Sequence, residues 1–189
     1  MERRSFLAGS AGVAAAFAAP RLASAQDPRV LRFVPYADVA VTDPVWSSTL
    51  ATRTHALAAF DTLYGTAADL SVHPQMVAGH VTENDGLLWR LTLRDGLRFH
   101  DNTPVLARDC AASIARWGRR DVFGQLLAVA TDEISAADDR TIVFRLKRRF
   151  PLLPTALGRH STQVPVIMPE RLALTDAFTP VPEVIGSGP

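Results

Sequence analysis

Two kinds of hydrophobic spacing recur along the chain, one typical of strands and one of helices. Apolar and polar residues alternate from Leu87, so that Trp89, Leu91 and Leu93 share one face. The Asp-Gly pair that follows is typical of a hairpin turn, and residues 97–99 are therefore expected to pair back. By such patterns, strands are predicted at residues 30–34, 87–93, 132–136, 141–147 and 164–168.

Apolar residues spaced by three and four positions predict helices between these strands. One such stripe, which includes Phe60 and Leu63, predicts a helix over residues 50–63 that ends at Gly65. Residues 69–79 show no period and are predicted to form a loop. Further helices are predicted at residues 107–118, 121–130, 151–159 and 170–174. Hairpins mixed with helices, without regular strand–helix repetition, favour an α+β class.

The first 25 residues have the layout of an export signal. Arg3 and Arg4 precede an apolar run over residues 6–20, and Ala23 and Ala25 form a small-x-small cleavage motif. The run is shorter than the ~20 apolar residues of a membrane span, which favours cleavage over anchoring. The arginine pair resembles a twin-arginine signal. We therefore expect the export translocon and signal peptidase as partners, cleavage between Ala25 and Gln26, and a periplasmic location.

The charge balance argues against a nucleic-acid partner. Without residues 1–25, the chain keeps 17 basic and 18 acidic residues of the original 20 and 19. The composition, 48% hydrophobic and 21% charged, is that of an ordinary globular protein. The single cysteine, Cys110, falls on the apolar stripe of a predicted helix and is expected to be buried.

No catalytic or metal-binding motif stands out, so no enzyme activity and no cofactor are predicted. His73 lies in the predicted loop and His80 directly follows it, and neither has a metal-ligand spacing. The His100-Asp101 pair could serve as an acid–base pair, but it more simply closes a turn. The segment from Gly186 to Gly188 resembles a phosphate loop only weakly, and a flexible start of a strand explains it as well.

The aromatic residues divide into core candidates and cleft candidates. Trp89 and Trp117 fall on the buried faces of a predicted strand and a predicted helix. Tyr36 and Trp46 follow the first predicted strand in a loop, where they could wall a ligand cleft or pack that loop onto its own domain.

The segment from Trp89 to Val105 resembles the signature of the extracellular solute-binding proteins of family 5, the dipeptide and oligopeptide-binding group of ABC importers. Asn102 stands where this family usually has glycine, and asparagine tolerates left-handed backbone geometry better than most residues. Four other segments agree in order, namely Thr42-Asp43-Pro44, Phe60–Leu63, Ala107–Trp117 and Ile185–Pro189.

This resemblance implies a fold, a domain order and a function. The fold is a two-lobed α/β periplasmic binding protein, type II-like, of which this chain would be an N-terminal fragment with part of lobe one and an inserted α+β subdomain. Residues 26–60 would start lobe one, 61–180 would be the subdomain, and 181–189 would begin a truncated return strand. The implied function is capture of a peptide or similar small solute for ABC permease subunits, by closure of two lobes. Without the second lobe, binding is expected to be weak or absent.

By the same resemblance, four residues are expected to face the cleft: Trp46 and Ser47 after the Thr-Asp-Pro motif, and Phe123 and Gln163 in the subdomain. Loop packing, core packing or simple exposure are the alternative explanations for these positions. Two alternative functions remain open, an exported metal-dependent hydrolase that uses His100 and neighbouring carboxylates, and a non-functional truncated remnant.

Overall fold

The computed structural model describes residues 32–188. The predicted export signal at residues 1–25 lies outside the described residues, and so do residues 30 and 31 of the first predicted strand. Residues 32–34 are described and are not in a strand. A strand needs a neighbouring strand to receive its backbone hydrogen bonds, and a local sequence pattern cannot supply that neighbour. From Pro35 onward the chain forms one compact unit.

A four-stranded antiparallel sheet lies at the centre of this unit, and its strands follow the order β3 (Val77–Glu83), β4 (Leu88–Leu93), β6 (Thr141–Leu146) and β5 (Thr131–Ala136). The alternation that begins near residue 87 is confirmed as β4, whose Leu91 and Leu93 are buried. Leu91 lies opposite Ile142 of β6, which is also buried.

Five α-helices accompany the sheet in the described part of the chain, and each overlaps a helix that the spacing predicts. Their bounds are α1 Leu50–Ala59, α2 Ala107–Trp117, α3 Val122–Ala130, α4 Leu153–Leu157 and α5 Glu170–Ala173. Helix α2 packs against α5 and against β5 and β6, and it buries Cys110, Ile114 and Trp117 in the core, as expected. The Asp121 carboxylate caps α3 by accepting hydrogen bonds from two backbone N–H groups.

The first helix and the loop after it differ from the prediction. Helix α1 ends at Ala59 because Phe60 has extended backbone angles, φ −124° and ψ 149°. Gly65 therefore lies in a strand rather than at a helix end. Residues 69–79, predicted as a loop, contribute to a small two-stranded sheet and to β3, which is an edge strand with mostly exposed side chains. The small sheet pairs β1 Tyr64–Thr66 with β2 Val72–Pro74.

Besides residues 32–34, three further segments predicted as strands are not in strands in the described part of the chain. Residues 97–99 do not join the sheet, because β4 already pairs with β3 on one side and β6 on the other. Residues 164–168 are buried but extended and make only an isolated bridge, Thr62 to Val166. The described residues 181–188 of the predicted return strand are not in a strand. The domain limits at 60/61 and 180/181 remain predictions.

Candidate functional site

The loop that carries the predicted cleft residues is fixed by the buried carboxylate of Asp43. Arg116 of α2 reaches it with both terminal nitrogens, at 3.2 Å from Nη1 to Oδ1 and 2.7 Å from Nη2 to Oδ2. The carboxylate also accepts hydrogen bonds from the backbone N–H groups of Val45, Trp46 and Val181. Solvent hardly reaches this ion pair, since 2% of the Arg116 side chain and 0% of the Asp43 side chain are exposed. Both charges are thus fully compensated inside the protein.

The same contacts decide the protonation of Asp43. Burial by itself would raise the pKa of this carboxyl group, but the hydrogen bond and charge of Arg116, with two backbone N–H groups, outweigh it and lower the pKa. Asp43 is therefore ionised at neutral pH. Arg116 donates onward to the carbonyl oxygens of Thr175 and Thr179, so the pair joins two loops that are far apart in sequence.

Trp46 lies half-buried beside this anchor. Its Nε1 donates to the carbonyl oxygen of Phe178 at 3.1 Å, and its own carbonyl oxygen accepts from Arg120 Nη2 at 2.9 Å. The Arg120 guanidinium also lies 4.7 Å from the centre of the Phe178 ring, a cation–π distance. Sequence reasoning missed Arg120 and Phe178, since neither belongs to a periodic or motif pattern that indicates this contact.

Trp46 and Ser47 line an open pocket of about 310 Å³ together with residues 36–38, 40 and 41. Tyr36 is 75% exposed there, and Asp38 is the one carboxylate on the wall. This arrangement offers aromatic surface and a negative charge to a small molecule. The full lining is Tyr36, Ala37, Asp38, Ala40, Val41, Trp46, Ser47, Thr49, Ala51 and Thr52.

Ser47 is buried and belongs to a hydroxyl network at the start of α1. Its Oγ lies 3.3 Å from the Oγ1 atoms of both Thr49 and Thr52, and Thr52 donates onward to the carbonyl oxygen of Val41 at 2.6 Å. Thr49 caps the helix by accepting from the Thr52 backbone N–H. The side chain of Ser47 therefore holds the pocket floor in place.

Phe123 and Gln163 do not line the pocket of Trp46. Phe123 is partly buried, with its ring centre 5.7 Å from that of Phe150 and 5.6 Å from the Arg159 guanidinium carbon. The backbone carbonyl of Gln163 accepts from Trp117 Nε1 at 2.9 Å. Packing explains the position of Phe123, while Gln163 stabilises the core through its backbone.

The three histidines singled out by sequence occupy different settings. His73 Nε2 lies 2.7 Å from the Ser71 hydroxyl, and His80 Nδ1 lies 2.7 Å from the buried hydroxyl of Tyr64. Burial raises the pKa of that Tyr64 hydroxyl to about 12. Within residues 32–188, no group of three or more His, Cys, Asp or Glu side chains could hold a metal ion.

The His100-Asp101 pair closes a turn, as the sequence predicts. Asp101 Oδ1 accepts from both the backbone N–H and the hydroxyl of Thr103, and Asn102 has φ 66°, in the left-handed region. His100 also contacts the segment from Gly186 to Gly188. Residues 186–188 were expected to form a flexible start of a strand, whereas in the structure they pack against His100.

Comparison with known proteins identifies the family. The family described as bacterial extracellular solute-binding proteins, family 5 Middle, matches residues 71–189. This chain belongs to that family. Residues 32–188 of this family 5 protein form no helix that is both long and apolar enough to cross a membrane.

A probable peptide ABC transporter periplasmic-binding protein of Sinorhizobium fredii is 41% identical over 152 residues, which make up 80% of this chain and 28% of that protein. This family 5 chain thus spans less than a third of the length of the relative. The buried ion pair joins the Asp43 and Arg116 motifs, which both contribute to the resemblance, into one structural unit.

Solved structures share the fold of this family 5 chain. The oligopeptide-binding protein AppA of Bacillus subtilis, in complex with a nonapeptide, has TM-score 0.64 and 18% identity over 78% of this chain and 30% of AppA. AgaA of A. tumefaciens R10, in complex with agropinic acid, has TM-score 0.66 and 24% identity over 79% of this chain and 30% of AgaA. The mixed α and β architecture is therefore that of part of a periplasmic binding protein.

Proposed function

We propose that this chain acts in an ABC importer as the solute-binding component, or as a part of it, and captures a peptide or similar small solute for the permease subunits. The observation that carries the proposal is its membership of family 5 over residues 71–189. The Sinorhizobium fredii relative, described as a probable peptide-binding protein, supports peptide as the first solute to test.

The proposed contact surface is the pocket beside Trp46. Tyr36 and Trp46 would cover apolar parts of the solute, and Asp38 would face a positively charged group such as a peptide ammonium. The buried Asp43–Arg116 pair would keep this wall in one geometry before the solute arrives, which lowers the ordering cost of binding. Phe123 and Gln163 do not line this pocket, and contact between them and the solute stays a prediction.

Export forms the second part of the proposal. The family is one of extracellular binding proteins, which supports a periplasmic location. Arg3 and Arg4 would direct the chain to the twin-arginine route, and signal peptidase would cleave after Ala25. N-terminal sequencing of the chain recovered from the periplasm would test this, with Gln26 as the expected first residue. Recovery of the uncleaved chain from the cytoplasm alone would contradict it.

We propose binding without catalysis. The metal-dependent hydrolase would need donors around His100, whereas the described residues bring no three such side chains together. His100 and Asp101 instead contact backbone and hydroxyl groups in a turn. A mixture of short peptides incubated with the chain should therefore be recovered uncleaved, and products detected by mass spectrometry would overturn this part.

Binding is best tested by calorimetry of the chain with sets of short peptides. The substitution Tyr36→Ala removes an exposed ring and should weaken binding about tenfold while leaving unfolding unchanged. Val81→Ala, on the exposed side of β3, is the matched control and should bind as the original chain does. Equal affinity of both variants would place the solute elsewhere. Because the chain spans less than a third of the length of its relative, a folded chain that binds no peptide would speak against binding by this part alone.

A further inference from the structure

An open groove of about 410 Å³, named here the aromatic groove, lies where β3 turns into β4. It is lined from one side of the sequence by Thr82, Asp85, Gly86 and Trp89, and from the other by residues 149–151, which follow β6. None of these residues lines the pocket of Trp46. The aromatic groove is therefore a separate place in the molecule, and its volume is in the range of about 300–1,000 Å³ that is typical of ligand pockets.

The indole of Trp89 is fixed before any ligand arrives. Its Nε1 donates to the Gly86 carbonyl oxygen at 3.1 Å, and its ring centre lies 5.0 Å from that of His80. His80 is held in turn by the Tyr64 hydroxyl, which lies 2.7 Å from Nδ1. Because the single donor of the indole is already used, Trp89 offers only apolar surface to the groove.

The ring of Phe150 is also supported from behind. Its centre lies 5.7 Å from that of Phe123, with an angle of 47° between the two planes. The Phe150 carbonyl oxygen accepts from the Leu153 N–H at 3.1 Å, and Pro151 restricts the backbone between them. An aromatic ring that enters the groove can therefore contact Trp89 and Phe150 in offset or edge-to-face geometry.

One charge of each sign lies at the exposed part of the groove. Arg149 Nη2 is 3.3 Å from Asp85 Oδ2, and 67% and 85% of these two side chains are exposed. The turn that carries Asp85 is left-handed, with φ 50°, 56° and 86° at Asn84, Asp85 and Gly86. An ion pair this exposed contributes little to stability, so its two members are free to turn towards a ligand at small cost.

We propose that the aromatic groove binds a small zwitterion with an aromatic ring, of the class of the aromatic amino acids. The ring packs against Trp89 and Phe150, the carboxylate binds the Arg149 guanidinium, and the ammonium group binds the Asp85 carboxylate. An α-amino acid carries its two charges on one carbon, which matches two counter-charges that lie 3.3 Å apart.

The same pair of charges selects against other small ligands. A ligand with a single charge meets one partner of opposite sign and one of like sign, and an uncharged ligand leaves both unused. An aliphatic amino acid keeps both ionic contacts but loses the contacts between aromatic rings. The proposal does not depend on which solute binds beside Trp46.

NMR of the isotope-labelled full chain locates the ligand, because the three tryptophans lie in three different places. The indole of Trp89 lines the aromatic groove, that of Trp46 lines the proposed solute pocket, and that of Trp117 is buried in the core. Titration with L-phenylalanine should shift the Trp89 indole N–H signal saturably and leave the other two in place. Trp89→Phe, in which one signal disappears, assigns it.

Analogues of phenylalanine separate the three contacts. Phenylpropionate lacks the ammonium group, and phenylalaninamide lacks the carboxylate. Each should bind about fivefold more weakly than phenylalanine, the most that an exposed ion pair contributes. Leucine keeps both charges but has no ring, and it should also bind about fivefold more weakly.

Substitutions of the two charged residues should match these analogues. Arg149→Gln should weaken phenylalanine about fivefold but leave phenylalaninamide unchanged. Asp85→Asn should weaken phenylalanine equally but not phenylpropionate, and asparagine tolerates the left-handed backbone of this position. Arg148→Gln is the matched control, because it removes the same charge from an exposed neighbour that does not line the groove. It should bind phenylalanine as the original chain does.

The outcomes either establish or overturn the site. A saturable shift at Trp89, with each variant insensitive to the analogue that lacks its partner, would establish it. No shift at Trp89, a shift at Trp46 instead, equal affinities for phenylalanine, leucine and both analogues, or equal losses in Arg149→Gln and Arg148→Gln would each overturn it. None of these results tests peptide capture beside Trp46, so the failure of one proposal leaves the other standing.

Discussion

The central sheet and the loops around Asp43 are stabilised in different ways. In the sheet, β4 is paired on both sides and its apolar side chains, such as Leu91, pack against many neighbours. The anchored loops, residues 41–49 and 175–181, have no regular pairing and depend on a few polar contacts to Arg116 and Asp43. Stability is therefore spread over many residues in the sheet and concentrated in one ion pair in the loops.

The largest expected effect is at this ion pair. Asp43→Asn leaves the Arg116 guanidinium buried without its counter-charge, and should lower the free energy of unfolding by about 3–5 kcal/mol. Urea unfolding at neutral pH measures this. A loss below about 1 kcal/mol, typical of an exposed pair, would contradict the contrast between loops and sheet.

Acid should also act through Asp43. Because its pKa is lowered in the folded state, its stabilising contribution is present above the unfolded value of about 3.9 and is lost as the pH falls through the lower folded value. Urea unfolding below about pH 4 should therefore show a steeper loss for the original chain than for Asp43→Asn. If the free energies of unfolding of the original chain and of Asp43→Asn fall in parallel with pH, other carboxyl groups cause the acid sensitivity.

The next largest effect is expected where α3 meets α2. A Cβ atom at Gly124 would lie 3.0 Å from Cε3 of Trp117 and 3.1 Å from Cα of Gly118, so Gly124→Ala should cost about 1–3 kcal/mol. Gly79→Ala in β3 is the matched control, because no atom lies within 4 Å of its added Cβ, and it should be neutral or slightly stabilising. Equal midpoints of thermal unfolding for the two variants would show that the helices can move apart freely.

A smaller effect is expected at Trp46. Trp46→Phe keeps an aromatic ring but removes the donor to the Phe178 carbonyl oxygen, and should cost about 0.5–1.5 kcal/mol. The loss should be accompanied by faster proteolysis within residues 175–181. An unchanged rate of cleavage there would mean that the contacts of Asp43, Arg116 and Arg120 hold the second loop without Trp46.

The smallest effect is expected at the exposed pair of Glu83 and Arg90 on the sheet, whose side chains are 44% and 40% exposed. Glu83→Gln should change the free energy of unfolding by less than about 1 kcal/mol, because solvent screens the charges. Urea unfolding in low and high salt checks this. A change as large as that of Asp43→Asn would remove the distinction between the two regions.

The parts of the fold that could be predicted from the sequence are those with a strong internal period. Strand β4 and helix α2 each place apolar residues on one face, and their positions are confirmed within one or two residues. Strand β3 was missed because an edge strand with exposed side chains carries no such alternation. For the candidate site, Trp46 and Ser47 could be selected from the loop, whereas Phe178 and Arg120 could not, since their contact to Trp46 joins distant positions.

The sequence by itself determined the α+β class, the buried faces and the family resemblance, because hydrophobic period and short motifs are local properties of the chain. Only the tertiary structure decided that Asp43 pairs with Arg116 and that His100 holds residues 186–188. A carboxylate or an imidazole can meet many partners, and which one it meets depends on the path of the backbone between them. The spacing of apolar residues along the chain therefore predicts regular packing. Single polar contacts form only when the fold brings their atoms together.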